Sequence, residues 1–179
     1  MNTPILIAFG ANIDPERNLA LGVARLHAIC GVSAISTVYR TKAVAGSDAP
    51  PDLHLPDFLN GALRIQGDWH PATLRARLKS IEQELGRQPR QPGWAPRPLD
   101  LDIALMGSLQ LHTPELTIPD PDIPERAFLT LPLAELAPNL IHPTLRLSLR
   151  TLAQRFPPDP EAFHPDPAAT ARLRAIIPL

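Results

Sequence analysis

The abrupt change of character at Leu99 limits this chain's fold more than any other feature. Residues Arg87 to Pro98 read "RQPRQPGWAPRP", and Leu99 to Leu105 read "LDLDIAL". Four prolines in the first stretch remove backbone donors and fix φ, so it is a loop. The second stretch is strand-like and apolar except for Asp100 and Asp102. In a strand, residues i and i+2 share a face, so these two carboxylates project together while Leu99, Leu101 and Ile103 point into a core. Asp is disfavoured in strands, and like charges on one face repel unless something positive lies between them. The pair is therefore either a solvated strand face or a place for a cation.

The loop supplies positive charge. Arg87, Arg90 and Arg97 lie close before the acidic strand, and guanidinium groups bind phosphate oxygens bidentately. Paired carboxylates, completed by water and phosphate oxygens, are what Mg²⁺ prefers. Acid, metal and arginine together suit phosphoryl transfer. The plainer alternative is a solvated surface loop with Trp94 as a hydrophobic plug. No G-x-x-x-x-G-K-[ST] loop is present, and "AFGAN" is not a G-x-G-x-x-G fingerprint, which argues against P-loop and Rossmann enzymes.

Around this centre the pattern predicts strands at "PILIAFG", "VSAISTVYRT", "FLNGALRIQG" and "LDLDIAL", with "GSLQLHT" as a hairpin return. Helices are expected after Asp14 as N-cap with Pro15 at the first position, through "HPATLRARLKSIEQELG", through "ERAFLTLPLAEL" despite Pro132, and near "SLRTLAQRF". The stripes Leu19, Val23, Leu26, Cys30 and Leu74, Leu78, Ile81, Leu85 face the core. The class is α+β, with helices packed on a largely antiparallel sheet. At 179 residues one domain is expected, 1–156, followed by an extension, 157–179, whose "ARLRAIIPL" forms a docked helix or stays mobile. The long "GSDAPPDLHLPD" segment is a loop. A net charge of -1 gives no reason to expect nucleic acid or a membrane as partner. A lone Cys30 fits a reducing compartment, and the N-terminus reads as a first strand with no basic leader. The expectation is a cytoplasmic monomer.

"GWAPRPLDLDIALMG" resembles the signature of the 6-hydroxymethyl-7,8-dihydropterin pyrophosphokinase family. "AFGANI", "STVYRT", "PDFLNGAL", "IEQELGR" and "LTIPDPDIPERAFLTLPLAELAP" resemble further family segments in the same order, covering about Ile5 to Pro138. The resemblance implies a ferredoxin-like α/β/α sandwich that transfers pyrophosphate from ATP to a pterin alcohol, giving AMP and the pterin diphosphate for folate synthesis. By position, it implies that Asp100 and Asp102 bind two Mg²⁺ ions and that Arg87 and Arg97 close over the phosphates, with Trp94 as a lid anchor. Glu82, Ile103, Thr117, Asp120 and Arg126 fall where the family contacts ATP. Phe58 and Phe128 resemble the rings that sandwich the pterin, Asn60 the side chain that reads its amide edge, and Thr41, Ala43 and Val44 its other contacts. The chain departs from the usual pattern at Lys42, Gly93, Ala104, Glu115 and above all Asp120, where a histidine is usual. Two further readings stay open: a homologue that binds pterin or nucleotide without turnover, and an unrelated Mg²⁺ phosphohydrolase. Replacing either aspartate by alanine is expected to abolish transfer and leave the fold as stable or more so, because like charges are removed.

Overall fold

The computed structural model describes residues 4–43, 55–89, 92, 95–157, 159 and 161–177. The first strand, β1 (Ile5–Ala11), is buried on both faces, which is why it reads as a continuous apolar run. Ile5, Ile7, Phe9 and Ala11 join one core layer, and Leu6 joins the other. Helix α1 (Pro15–Cys30) follows, with Pro15 at its start and the expected stripe buried. Asp14 takes the N-cap place, but in the left-handed region at φ 41 and ψ 51, and its side chain caps nothing. Asp is one of the few residues that tolerates this conformation. Gly31, at φ 65, ends the helix by donating its amide to the His27 carbonyl.

The single strand expected over Val32 to Thr41 is two, β2 (Val32–Ile35) and β3 (Tyr39–Thr41), both antiparallel to β4 (Phe58–Ile65). Between them Ser36 exchanges hydrogen bonds with Ala62, its amide donating to the Ala62 carbonyl and its hydroxyl accepting the Ala62 amide. The Val38 amide turns away to the Thr170 hydroxyl. Long-range partners thus break a run whose alternation looked continuous. Helix α2 (Pro71–Glu84) buries Leu74, Leu78 and Ile81 and ends before Gly86. Strand β5 (Asp100–Met106) pairs with β1, and the register skips Ala104, a bulge. The expected hairpin return does not pair with β5. β6 (Leu111–His112) pairs instead with β7 (Thr117–Ile118) as a separate small sheet.

Helix α3 (Ala127–Leu136) runs through a buried Pro132, and α4 (Leu149–Ala153) is capped by the Ser148 hydroxyl, which accepts the Thr151 amide. The segment after Pro157 docks. β8 (Phe163–Pro165) adds to β3 at the sheet edge, and α5 (Pro167–Arg174) buries Ala169 and Leu173 in the core. The strand order is β5-β1-β4-β3-β8 with β2 also on β4, every pair antiparallel. This is the β-α-β-β-α-β ferredoxin-like weave. Helices α1, α2 and α5 cover one face, and α3 and α4 the other.

Candidate active site

On the α3 face of the sheet, small residues replace bulky ones toward one end. Asp100 stands opposite Gly10 and Asp102 opposite Ala8, while Gly10 in turn stands opposite Asn60 on β4. A cavity of about 350 Å³ opens over this floor. Its sheet side is formed by Ala8, Gly10, Thr41, Phe58 and Asn60, and Phe128 and Leu129 close it from α3. Its charged mouth carries Asp100, Asp102, Asp120 and Asp122 with Arg97, Arg126 and Lys42. A Cβ at Gly10 would stand 2.5 Å from the Asn60 Oδ1. A side chain at Gly10 would push on this amide, whose Nδ2 donates to the Thr41 hydroxyl at 2.8 Å.

The acidic strand is held by cations from three directions. Arg87 Nη1 donates to one Asp100 oxygen and Arg97 Nη1 to the other. Lys79 Nζ donates to Asp102 Oδ1 at 2.9 Å and to Glu82 Oε1 at 2.8 Å. Glu82, only 2% exposed, also accepts the Leu101 amide at 2.7 Å and pairs with Arg87 at 3.0 Å, which fixes α2 against β5. Arg97 is positioned through its backbone: its amide donates to Asn12 Oδ1 at 2.6 Å and its carbonyl accepts the Asn12 amide at 3.0 Å. "AFGANI" thus anchors the proline-rich loop to β1.

These contacts separate the two aspartates electrostatically. Burial opposes the Asp100 charge, but Arg97 and Arg87 outweigh it and hold the carboxyl below the ordinary range. Asp102 is pushed up by its low-dielectric surroundings and then by the Asp100 charge, although its side chain is 51% exposed and paired with Lys79. Burial also pushes Asp120 up to about 6, with Asp102, Asp122 and Asp100 adding to the effect. The Asp120 amide donates to the Ala104 carbonyl at 2.9 Å, at the β5 bulge, and its Oδ1 accepts the Asp122 amide at 2.8 Å.

Carboxylate oxygens of Glu82, Asp100 and Asp102 lie within 4.8 Å of one another, a hard-oxygen donor set suited to a divalent ion such as Mg²⁺. The structure therefore gathers Glu82, Arg87, Arg97, Asp100 and Asp102 at one point, and Thr41, Phe58, Asn60, Asp120, Arg126 and Phe128 around the adjoining cavity. Thr117 lies in a neighbouring cleft with Leu101, Asp102, Lys79 and Asp120, and Ile103 contributes to its wall while its side chain belongs to the core. Ala43 is half-buried beyond the end of β3. Val44, Arg90, Gly93, Trp94 and most of the "GSDAPPDLHLPD" loop fall outside the described residues. Sequence reasoning missed Lys79, Asn12 and the Ala8 and Gly10 floor. The signal for Lys79 was available, since it precedes Glu82 by three residues and so shares its helix face.

Fold and site define a ferredoxin-like α/β protein with a cation-ready carboxylate cluster beside a pocket of small-molecule size. The model of the family 7,8-dihydro-6-hydroxymethylpterin-pyrophosphokinase (HPPK) matches residues 6–138, and the chain belongs to that family. It is 37% identical over 141 residues to the 2-amino-4-hydroxy-6-hydroxymethyldihydropteridine pyrophosphokinase of Synechocystis sp., covering 77% of this chain and 68% of that one. Against the protein of the same name from Bacillus subtilis it is 39% identical over 139 residues, 76% of this chain and 79% of that one. Among solved structures, the Plasmodium falciparum HPPK-DHPS wild type superposes with a TM-score of 0.62 at 13% identity, over 87% of this chain and 45% of that one. That likeness concerns the fold, and this chain spans less than half of the Plasmodium protein.

Proposed function

We propose that this protein transfers the pyrophosphoryl group of ATP to the hydroxymethyl oxygen of 6-hydroxymethyl-7,8-dihydropterin, a step of folate synthesis, acting as a cytoplasmic monomer. The observation that carries the reading is the Asp100–Asp102 pair, with Arg87 and Arg97 on Asp100, at the mouth of a cavity walled by Phe58, Asn60 and Phe128. In the reaction the pterin oxygen bonds to the β-phosphorus of ATP. The bond from that phosphorus to the oxygen bridging the α-phosphate breaks, AMP leaves, and the hydroxyl proton passes to solvent.

Asp100 and Asp102 would hold two Mg²⁺ ions, which supply charge neutralisation for the phosphates. Arg87 and Arg97 carry positive charge to the same place, and Arg126 adds a third guanidinium at the mouth. Phe58 and Phe128 offer faces to a flat heterocycle, worth about 1 kcal/mol per ring beyond area burial. Asn60 offers an amide for its polar edge. Glu82, the third carboxylate of the cluster, lies where the family contacts ATP and is held in place by Lys79, Arg87 and the Leu101 amide. Phosphoryl transfer depends chiefly on positioning and makes little demand for a strong general base.

AMP release from ATP, Mg²⁺ and the pterin alcohol is the direct test. Formation of AMP and pterin diphosphate in equal amounts is expected. Ligand binding without AMP would point to a non-catalytic homologue, and ATP consumption independent of the pterin would point to a phosphohydrolase.

A further inference from the structure

We infer that Lys79 is a resident counter-ion of the carboxylate cluster: its ammonium sits where a divalent ion would bind, and must leave before that ion enters. Nζ is 2.8 Å from Glu82 Oε1, 2.9 Å from Asp102 Oδ1, 3.2 Å from the Leu101 carbonyl and 3.9 Å from Asp100 Oδ1. These include oxygens from all three carboxylates of the candidate metal cluster. An ammonium and a divalent ion cannot both occupy the same few ångströms among the same acceptors, because their charges repel and each needs those lone pairs.

The consequence is a site that is filled by its own side chain until something stronger displaces it. A divalent ion arriving alone must break the Lys79 contacts to Asp102 and Glu82 and leave the ammonium without those partners. An ion arriving with a polyphosphate brings anionic oxygens that the displaced ammonium can pair with. Lys79 thus makes metal loading depend on nucleotide, and raises the metal concentration needed to load the cluster alone. Arg87 and Arg97 pair with Asp100, whereas among the described residues the ion pair to Asp102 comes from Lys79.

The inference rests on the metal site of the proposed pyrophosphokinase, and its test reads metal binding without turnover. Mn²⁺ binding is measured by electron paramagnetic resonance of the free ion, with and without a non-hydrolysable ATP analogue, for the wild type, Lys79→Met and Lys79→Arg. Lys79→Met is expected to bind Mn²⁺ alone about tenfold more tightly than the wild type. It should also lose most of the nucleotide's enhancement of Mn²⁺ affinity, and Lys79→Arg should restore the wild-type pattern. A purely structural lysine would lower thermal stability when replaced and leave Mn²⁺ affinity equal or weaker, which would overturn the inference.

A second measurement needs no variant. Lys42 and Lys79 are the chain's two lysines, so amine labelling resolved by mass spectrometry reports each one. Lys79 should label slowly in metal-free protein and several-fold faster at saturating Mn²⁺, relative to Lys42; unchanged relative labelling would overturn displacement. Absence of Mn²⁺ binding to any of these proteins, even with nucleotide, would overturn the metal reading itself and this inference with it.

Discussion

At Asp100 two guanidinium groups converge on one carboxylate, while its neighbour Asp102 shares one ammonium and stands half in solvent. Removing charge from the two therefore has opposite effects on the fold. Asp100→Asn should cost about 1–3 kcal/mol, because it removes the carboxylate charge that Arg87 and Arg97 share. Asp102→Asn should leave the melting temperature unchanged or raise it, since its ionised form is disfavoured in the folded state. Both should lower AMP formation by about a hundredfold or more. Differential melting curves beside the activity assay check this; equal stability changes would contradict the assigned charge pattern. Repulsion between the pair, read from spacing alone, predicted stabilisation in both cases, and the arginines reverse it at Asp100. Asp120 gives a pH dependence. Its folded value of about 6 lies above the ordinary carboxylate range, so the folded state binds the proton more tightly. Its charge costs stability above about 6, and this cost disappears as pH falls toward the ordinary carboxylate value. With a chelator present, Asp120→Asn should raise the melting temperature at pH 8 by a few degrees and have little effect near pH 4. A shift that is the same at both pH values would refute the assignment.

Strands β1, β4 and β5 place the site through register, since Asp100, Gly10 and Asn60 lie in one line across the sheet. A methyl at Gly10 enters the space of Asn60 Oδ1, whose amide is tied to Thr41. Gly10→Ala should cost about 1–3 kcal/mol from this overlap. It should also weaken pterin binding about tenfold or more by tilting Asn60 into the cavity, as read by calorimetry with the pterin alone. Retained affinity would show that Asn60 is not the polar contact. The buried strand β1 was legible as an unbroken apolar run, and the stripes of α1 and α2 as helical periodicity. The break between β2 and β3 was not, because Ser36 and Val38 are turned by Ala62 and Thr170, the latter in the distant α5. The small β6–β7 sheet was hidden for the same reason: pairing partners for two-residue strands carry no periodic signal.

Across the whole molecule, the C-terminal segment closes the sheet edge and one core layer. The Asp166 amide donates to the Val38 carbonyl, Arg174 Nε donates to the Ile35 carbonyl, and the Tyr39 and Phe163 rings stack at 4.2 Å. Leu173 is 1% exposed in the layer shared with α1 and α2. Leu173→Ala should therefore lower stability by about 2–4 kcal/mol, measured by denaturant unfolding, a loss expected of a core residue and not of a loose tail. A change below about 0.5 kcal/mol would place the segment outside the cooperative unit. The amino-acid sequence by itself determined the apolar strands and helix stripes, the proline-rich loop, the shared face of Asp100 and Asp102, and, through resemblance, the pyrophosphokinase family. These are properties of neighbours along the chain or of short ordered motifs. Only the tertiary structure decided which cation answers which carboxylate, that Lys79 stands in the middle of the cluster, that Asn12 holds Arg97, and that the tail is part of the sheet. Each of those depends on groups brought within hydrogen-bonding distance by the fold, and electrostatic energy follows that distance, whatever the separation in sequence.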